Sequence, residues 1–394
     1  MPRAWVVIAS ALACALATCH AAPLTQVGSA LDVDARAIAY DGSDVAYVLG
    51  ANTLSAVDLR GSRTVKTLDD LSDIGPCDAF SFYTANTSAW SSAKRLAVVC
   101  SGSNAFATYG VEPTRAKRLF LLKNEKRIGG ASSVVVVDRS LAFVAATAHA
   151  RIVAVSLDAH EKRAPEARGN YQLSDVREVT KGVVDRQTIR VTSGTSRRVT
   201  TLKYSEAGTL QLVGSVKDSR LDGAVGSCVG VDGGTDRART YVVSPGMKNG
   251  TLSILDSSIY GAPQFIVGMH AGGELEEWKD WSPNAHADLR GASDVSVFGN
   301  DAYIAARDVG AIVIIDVSDV SRPVVKGKLA SPALMGVSRV EASPDGKFIL
   351  AVVPRSSAAA AVDLSAVDSI IIASTDDDIV SGAPKIRRRS LFSA

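Results

Sequence analysis

Apolar residues along this chain come in short runs that end in Gly, Asp, Asn, Ser or Pro, and they do not recur at the three-and-four spacing of a helix facing a core. The stretch DAYIAARDVGAIVIIDVSDVSRPVVKGKL, residues 301–329, holds three such runs separated by turn residues. Aligning the chain on its central run, IVIID at Ile312, finds related runs at Leu54, Ala105, Ile152, Val199, Leu252 and Ala359. Their spacing centres on about 50 residues, within the range of sheet-forming repeats. Each anchor is preceded by two further runs, such as SDVSVFG and DAYIAARD, and followed by one more, such as PVVKGKL. The pattern predicts seven units of four strands.

One such sheet carries apolar residues on both faces and cannot cover both by itself. Radial packing lets neighbouring copies cover them and leaves only short outer edges, so the repeat predicts an all-β, seven-bladed β-propeller of four-stranded antiparallel blades over residues 23–380. An open solenoid would need capping units, and the repeat array shows none. For the join of the ring, LTQVGSAL (residues 24–31) and SIIIAST (residues 369–375) compete for the outermost position of the last blade.

The segment VFGNDAYIAARDVGAIVIIDVSDVSRPVVKGKL resembles the LVIVD-type β-propeller repeat, and SPDGKFILAVV from Ser343 is similar to the strand-turn motif of YVTN-like and WD40-like propellers. The resemblance is sharpest over residues 291–374. It implies a propeller and an exported or surface-associated protein, but no single chemistry, because one fold hosts many functions.

The N-terminus breaks the strand pattern. MPRAWVVIASALACALATCHAA places Arg3 before an apolar run and then small residues, which predicts a secretory signal over residues 1–22. LATC, ending at Cys19, is similar to a bacterial lipoprotein box and implies the alternative of a lipidated Cys19. Both readings place the protein outside the cytoplasm, secreted or at the cell surface, and periplasmic or lipid-anchored if the source is bacterial. No later run reaches the roughly 20 apolar residues of a transmembrane span. At 394 residues, 46% hydrophobic and 21% charged, with a net charge of +2, the chain has neither a disordered polyelectrolyte's composition nor that of a cationic nucleic-acid binder. The closing residues 381–394, with Lys385, Arg387, Arg388 and Arg389, read as a basic flexible tail.

Candidate chemistry is sparse. Cys77 stands at the start of a first strand and Cys100 at the end of the adjacent second strand, so antiparallel pairing brings them near one another as a disulfide or as two buried thiols. Cys228 reads as a small core residue. Asp58, Asp256, Asp316 and Asp363 recur after third strands; spread around a ring they are too far apart to share one ion, and they read as turn organisers. His149, His160, His270 and His286 show no zinc spacing, and no nucleophile elbow or phosphate-binding loop is present, so no catalytic residue is assigned.

The longest irregular segment, residues 269–291, joins Glu276, Glu277, Trp278, Trp281 and His286. It is read as a ligand-binding loop, as a divalent-metal site, or as an insertion pinned by its tryptophans. Arg307 and Arg355 follow second strands and are candidates for an anionic group on the same face. Asn86 and Asn249 head glycosylation sequons that apply in a eukaryotic source. The expected function is binding of a protein or glycan through one face of the ring. The alternative is a lactonase-like propeller hydrolase whose metal is held by several blades. No cofactor beyond a divalent ion is called for, and the oligomeric state is not readable.

Overall fold

The computed structural model describes residues 25–26, 31–32, 35–353 and 369–374, with interruptions at 41–43, 60–64, 89–90, 139, 158–162, 182–186, 232–237, 246–249, 258–262, 272–286, 344–345 and 347. The short apolar runs form strands, and consecutive strands pair antiparallel in order. Blade 1 comprises Ala37–Tyr40, Val45–Leu49, Thr53–Asp58 and Val65–Asp70. Blade 2 comprises Ala79–Ser88, Ser91–Cys100, Ala105–Glu112 and Arg115–Leu122. Blade 3 comprises Ala131–Asp138, Leu141–Ala146, Arg151–Ser156 and Glu166–Gln172. Blade 4 comprises Glu178–Lys181, Thr188–Ser193, Arg198–Tyr204 and Leu210–Lys217. Blade 5 comprises Gly226–Val231, Ala238–Ser244, Thr251–Asp256 and Gln264–His270. Blade 6 comprises Ala292–Phe298, Asp301–Ala306, Ala311–Asp316 and Val324–Ala330.

Position within a blade explains the pattern of each run. The second strand Leu141–Ala146 is buried at every residue and reads as continuously apolar, because neighbouring blades cover both its faces. The outermost strand Val324–Ala330 alternates between exposed and half-buried residues, because its blade is widest there and solvent reaches one face.

The expected count of seven four-stranded blades is corrected: six sheets are blades of four consecutive strands, and the last sheet is different. That sheet joins Arg339–Ala342, Phe348–Val353 and Ser369–Ser374 with two short strands from the other end of the chain, Thr25–Gln26 and Leu31–Asp32. Ser369–Ser374 of SIIIAST therefore occupies the third position, directly beside Phe348–Val353, where Ala351 faces Ile371. The N-terminal segment takes the outer position, with Thr25 opposite Ser374 and Leu31 opposite Ile370. The run at Ala359, expected to be the third strand, and Asp363 with it, lie outside the described residues. The alternating and continuous apolar templates cannot separate two short runs only ten residues apart, and partner choice decided between them.

The core lies between neighbouring sheets. Leu49, Leu54, Leu96 and Tyr109 fill the gap between blades 1 and 2, and Leu252, Ile254, Ile304 and Val313 fill that between blades 5 and 6. Phe348, Leu350 and Val352 of the last sheet pack with Ala46, Val48 and Val57 of blade 1, which completes the circle. The interface between blades 4 and 5 is the most polar: Val199, Leu221, Ala224, Val242 and Leu255 form a small apolar patch. Beside it Arg190 donates to the Ser257 carbonyl at 3.0 Å, and Thr192 Oγ1 donates to Ser227 Oγ at 3.0 Å.

Cys77 and Cys100 are joined by a disulfide across the start of blade 2. Asp316 accepts the Ser318 N–H at 2.8 Å and organises the turn after its strand. No helix among the described residues is long and apolar enough to cross a membrane.

Candidate functional site

The first strand of every sheet lies innermost, and together these strands line an axial cavity of about 440 Å³. Its walls carry Ala37, Phe80, Ser133, Glu178, Cys228, Asp294 and Glu341, one from each sheet in turn. Twist splays the inner strands too far apart to pair as a continuous sheet. Their facing N–H groups find side chains instead. Ser81 accepts the Val136 N–H at 3.1 Å, Ser133 accepts that of Val179 at 3.4 Å, and Ser296 accepts that of Ala342 at 3.0 Å. At two seams a carboxylate does this work: Glu178 accepts from the backbone and hydroxyl of Ser227, and Asp294 accepts the Val340 N–H at 3.0 Å. The Cys228 thiol fills the seam to Val297, and burial pushes its pKa up, which makes it a poor nucleophile.

These seams bring four charged groups together. Arg339 Nη1 stands 3.7 Å from Glu178 Oε1 and 3.7 Å from Asp294 Oδ1, and Glu341 lies in the same cavity two residues along the strand from Arg339. The Arg339 side chain is 34% exposed, into the cavity it lines, although protein surrounds it. Burial raises the carboxyl pKa values, to about 7 for Glu178 and about 8 for Glu341; the neighbouring carboxylates add to this and the Arg339 charge opposes it. Asp294 is raised by the same burial, against Arg339 and two backbone hydrogen bonds. Burial disfavours the Arg339 charge, but Asp294, Glu178 and Glu341 outweigh it and hold the guanidinium ionised.

Glu341 differs from the other two carboxyls. Glu178 and Asp294 are engaged at seams, whereas the Glu341 side chain has no hydrogen bond or ion pair among the described residues. Three carboxyl groups face one guanidinium, so full ionisation leaves the cavity with two uncompensated negative charges. Such a site attracts a cation and holds protons when none is bound.

None of these four residues stands out in the sequence, where each sits in a short polar-apolar alternation, REVT, SDVS or SRVE. The available signal was positional: the aligned first strand of blade 3 carries Ser133 where others carry an acid. Of the residues singled out from sequence, Arg307 is described. It lies exposed in the hairpin between the second and third strands of blade 6, pairs with Asp308 at 3.0 Å, and does not line the cavity. Asn86 lies in the first strand of blade 2. Glu276, Glu277, Trp278, Trp281, His286, Arg355 and Asn249 lie outside the described residues, as do residues 1–22 and the tail 381–394. The flanks of the 272–286 segment, His270 and Asp288, are at the face where inner strands begin, the same face as Arg307 and the charged end of the cavity. Burial lowers the His270 pKa. Among the described residues no cluster of three His, Cys, Asp or Glu side chains has the arrangement to hold a metal ion.

Comparison with known proteins places residues 290–331 in the LVIVD repeat family. Among curated proteins none matches the chain. Solved structures share its fold at low identity. A protein from Lactobacillus plantarum matches with a TM-score of 0.58 and 13% identity, over 80% of this chain and 86% of that one. A hypothetical selenium-binding protein from Sulfolobus tokodaii matches with 0.57 and 13%, over 80% and 83%. The periplasmic gluconolactonase of Pseudomonas aeruginosa matches with 0.57 and 12%, over 83% and 87%.

Proposed function

We propose that this β-propeller repeat protein, which carries an LVIVD repeat at residues 290–331, is a secreted or surface-exposed binding module that draws a lysine or arginine side chain of a partner protein into its axial cavity. The observation that carries this reading is Glu341, a carboxyl with no side-chain hydrogen bond or ion pair among the described residues, inside a cavity whose other acids are engaged. A cationic side chain supplies the missing charge and the missing hydrogen-bond donors. The cavity's volume of about 440 Å³ is of the size that takes a small ligand group.

Calorimetric titration of the full chain with N-acetyl-lysine methylamide, and with its uncharged norleucine analogue, tests the reading. The lysine probe is expected to bind at pH 8.5, more weakly at pH 5.5 where protons compete for the same carboxyls, and not measurably to Glu341→Gln. Equal binding of both probes, or none, would reject it.

A second reading rests on Glu341 and Glu178 exchanging protons near neutral pH, which equips the cavity with a proton donor and an acceptor. The fold shared with a gluconolactonase fits this hydrolase reading. Hydrolysis of gluconolactone by the wild-type chain, abolished in Glu341→Gln, supports it; turnover indifferent to that substitution removes it.

A further inference from the structure

A second pocket, of about 350 Å³, lies in the cleft between blades 3 and 4, on the face where inner strands begin. Ser174 of the segment joining the two blades, Thr195, Ser196 and Arg197 of the second hairpin of blade 4, and Arg198 and Lys217 line it. Arg198 and Lys217 are directly paired across antiparallel strands, so their side chains leave the same face of the sheet. Two like charges so placed repel. In this region the acids are committed elsewhere: Asp222 pairs with Arg197 at 3.1 Å, Asp218 with Arg220 at 2.7 Å, and Asp175 accepts the Thr195 N–H at 2.7 Å. Arg198 donates a 3.4 Å hydrogen bond to Ser215 Oγ, and among the described residues neither it nor Lys217 forms an ion pair. Beside them the Ser196 hydroxyl is buried without a hydrogen-bond partner among the described residues.

We propose that this cleft binds a tetrahedral oxyanion, a phosphate or sulfate group, between Arg198 and Lys217 with the Ser196 hydroxyl as a further donor. A guanidinium fork and an ammonium complement such an anion, and its charge removes the repulsion between them. The hydroxyl gains the partner it lacks. This site is independent of the axial cavity.

Titration of the full chain with inorganic phosphate, inorganic sulfate, glucose 6-phosphate and glucose 6-sulfate, at constant ionic strength in chloride, is the test. Saturable binding of at least one probe is expected, weakened at least about tenfold in Arg198→Gln/Lys217→Gln and reduced in Ser196→Ala, but unchanged in Arg307→Gln. Preference for an ester over its free ion identifies a phosphorylated or sulfated molecule as the natural source, and preference for the free ion identifies inorganic anion. No saturation above the chloride background, or equal binding by the double variant, overturns the proposal. Because Arg198 and Lys217 are exposed, their replacement leaves the core intact, and an unchanged unfolding temperature in chloride verifies that.

Discussion

At the hairpin between second and third strands, blades 3 and 6 make the same turn with different residues. Each follows a short 3₁₀ turn, Thr147–His149 or Arg307–Val309, with one residue in the left-handed region: Ala150 at φ 48° and Gly310 at φ 60°. A Cβ is strained there, so Ala150→Gly is expected to stabilise the protein by about 0.5–1 kcal/mol, less whatever glycine's extra freedom in the unfolded chain takes back. Urea unfolding measures it. The axial acids set a second prediction. Glu178, Glu341 and Asp294 hold protons more tightly folded than unfolded, so the native state carries more protons between pH 4.5 and about 8. Stability from this source is therefore full below the unfolded carboxyl pKa and is lost as pH rises through about 7 to 8. The urea midpoint is expected to fall from pH 5 to pH 9, and Glu341→Gln, which has no proton to lose, flattens the fall.

At the scale of the element, inner strands are joined by side chains as well as by apolar contact. Ser296→Ala strips the Ala342 N–H of its acceptor in a buried seam and is expected to cost about 1–3 kcal/mol, while Ser296→Thr keeps the hydroxyl and most of the stability. Thermal unfolding of the two variants distinguishes a hydrogen-bonding role from simple packing. The same arrangement explains why the charged cluster escaped notice. Glu178 and Asp294 take the position that Ser133 fills in blade 3, and a chain read one run at a time presents them as ordinary strand polar residues. Their convergence with Arg339 joins three sheets that are far apart in sequence.

At the scale of the whole molecule, both ends of the chain meet in the last sheet. Thr25–Gln26 and Leu31–Asp32 cover the outer side of Ser369–Ser374, which holds Ile370, Ile371 and Ile372. A chain starting at Ala35 leaves that apolar strand as an open edge. It is expected to unfold at lower temperature and to associate as concentration rises, measured by light scattering; a fully monomeric, equally stable truncation would show that the terminal strands do not fasten the ring.

The repeat of short strands and turns, and with it the propeller, was legible in the sequence. Period-two runs declare themselves locally, and a sheet apolar on both faces must be covered by its neighbours. The number of complete four-stranded blades was not, because the last sheet depends on which terminal run finds which edge. Nor was the axial site, since Glu178, Asp294, Arg339 and Glu341 acquire their chemistry only where three separate strands set them beside one another and the ring shields them from bulk water. Strand pattern is a property of neighbours in the chain, whereas charge, burial and proton affinity at the axis belong to neighbours in space.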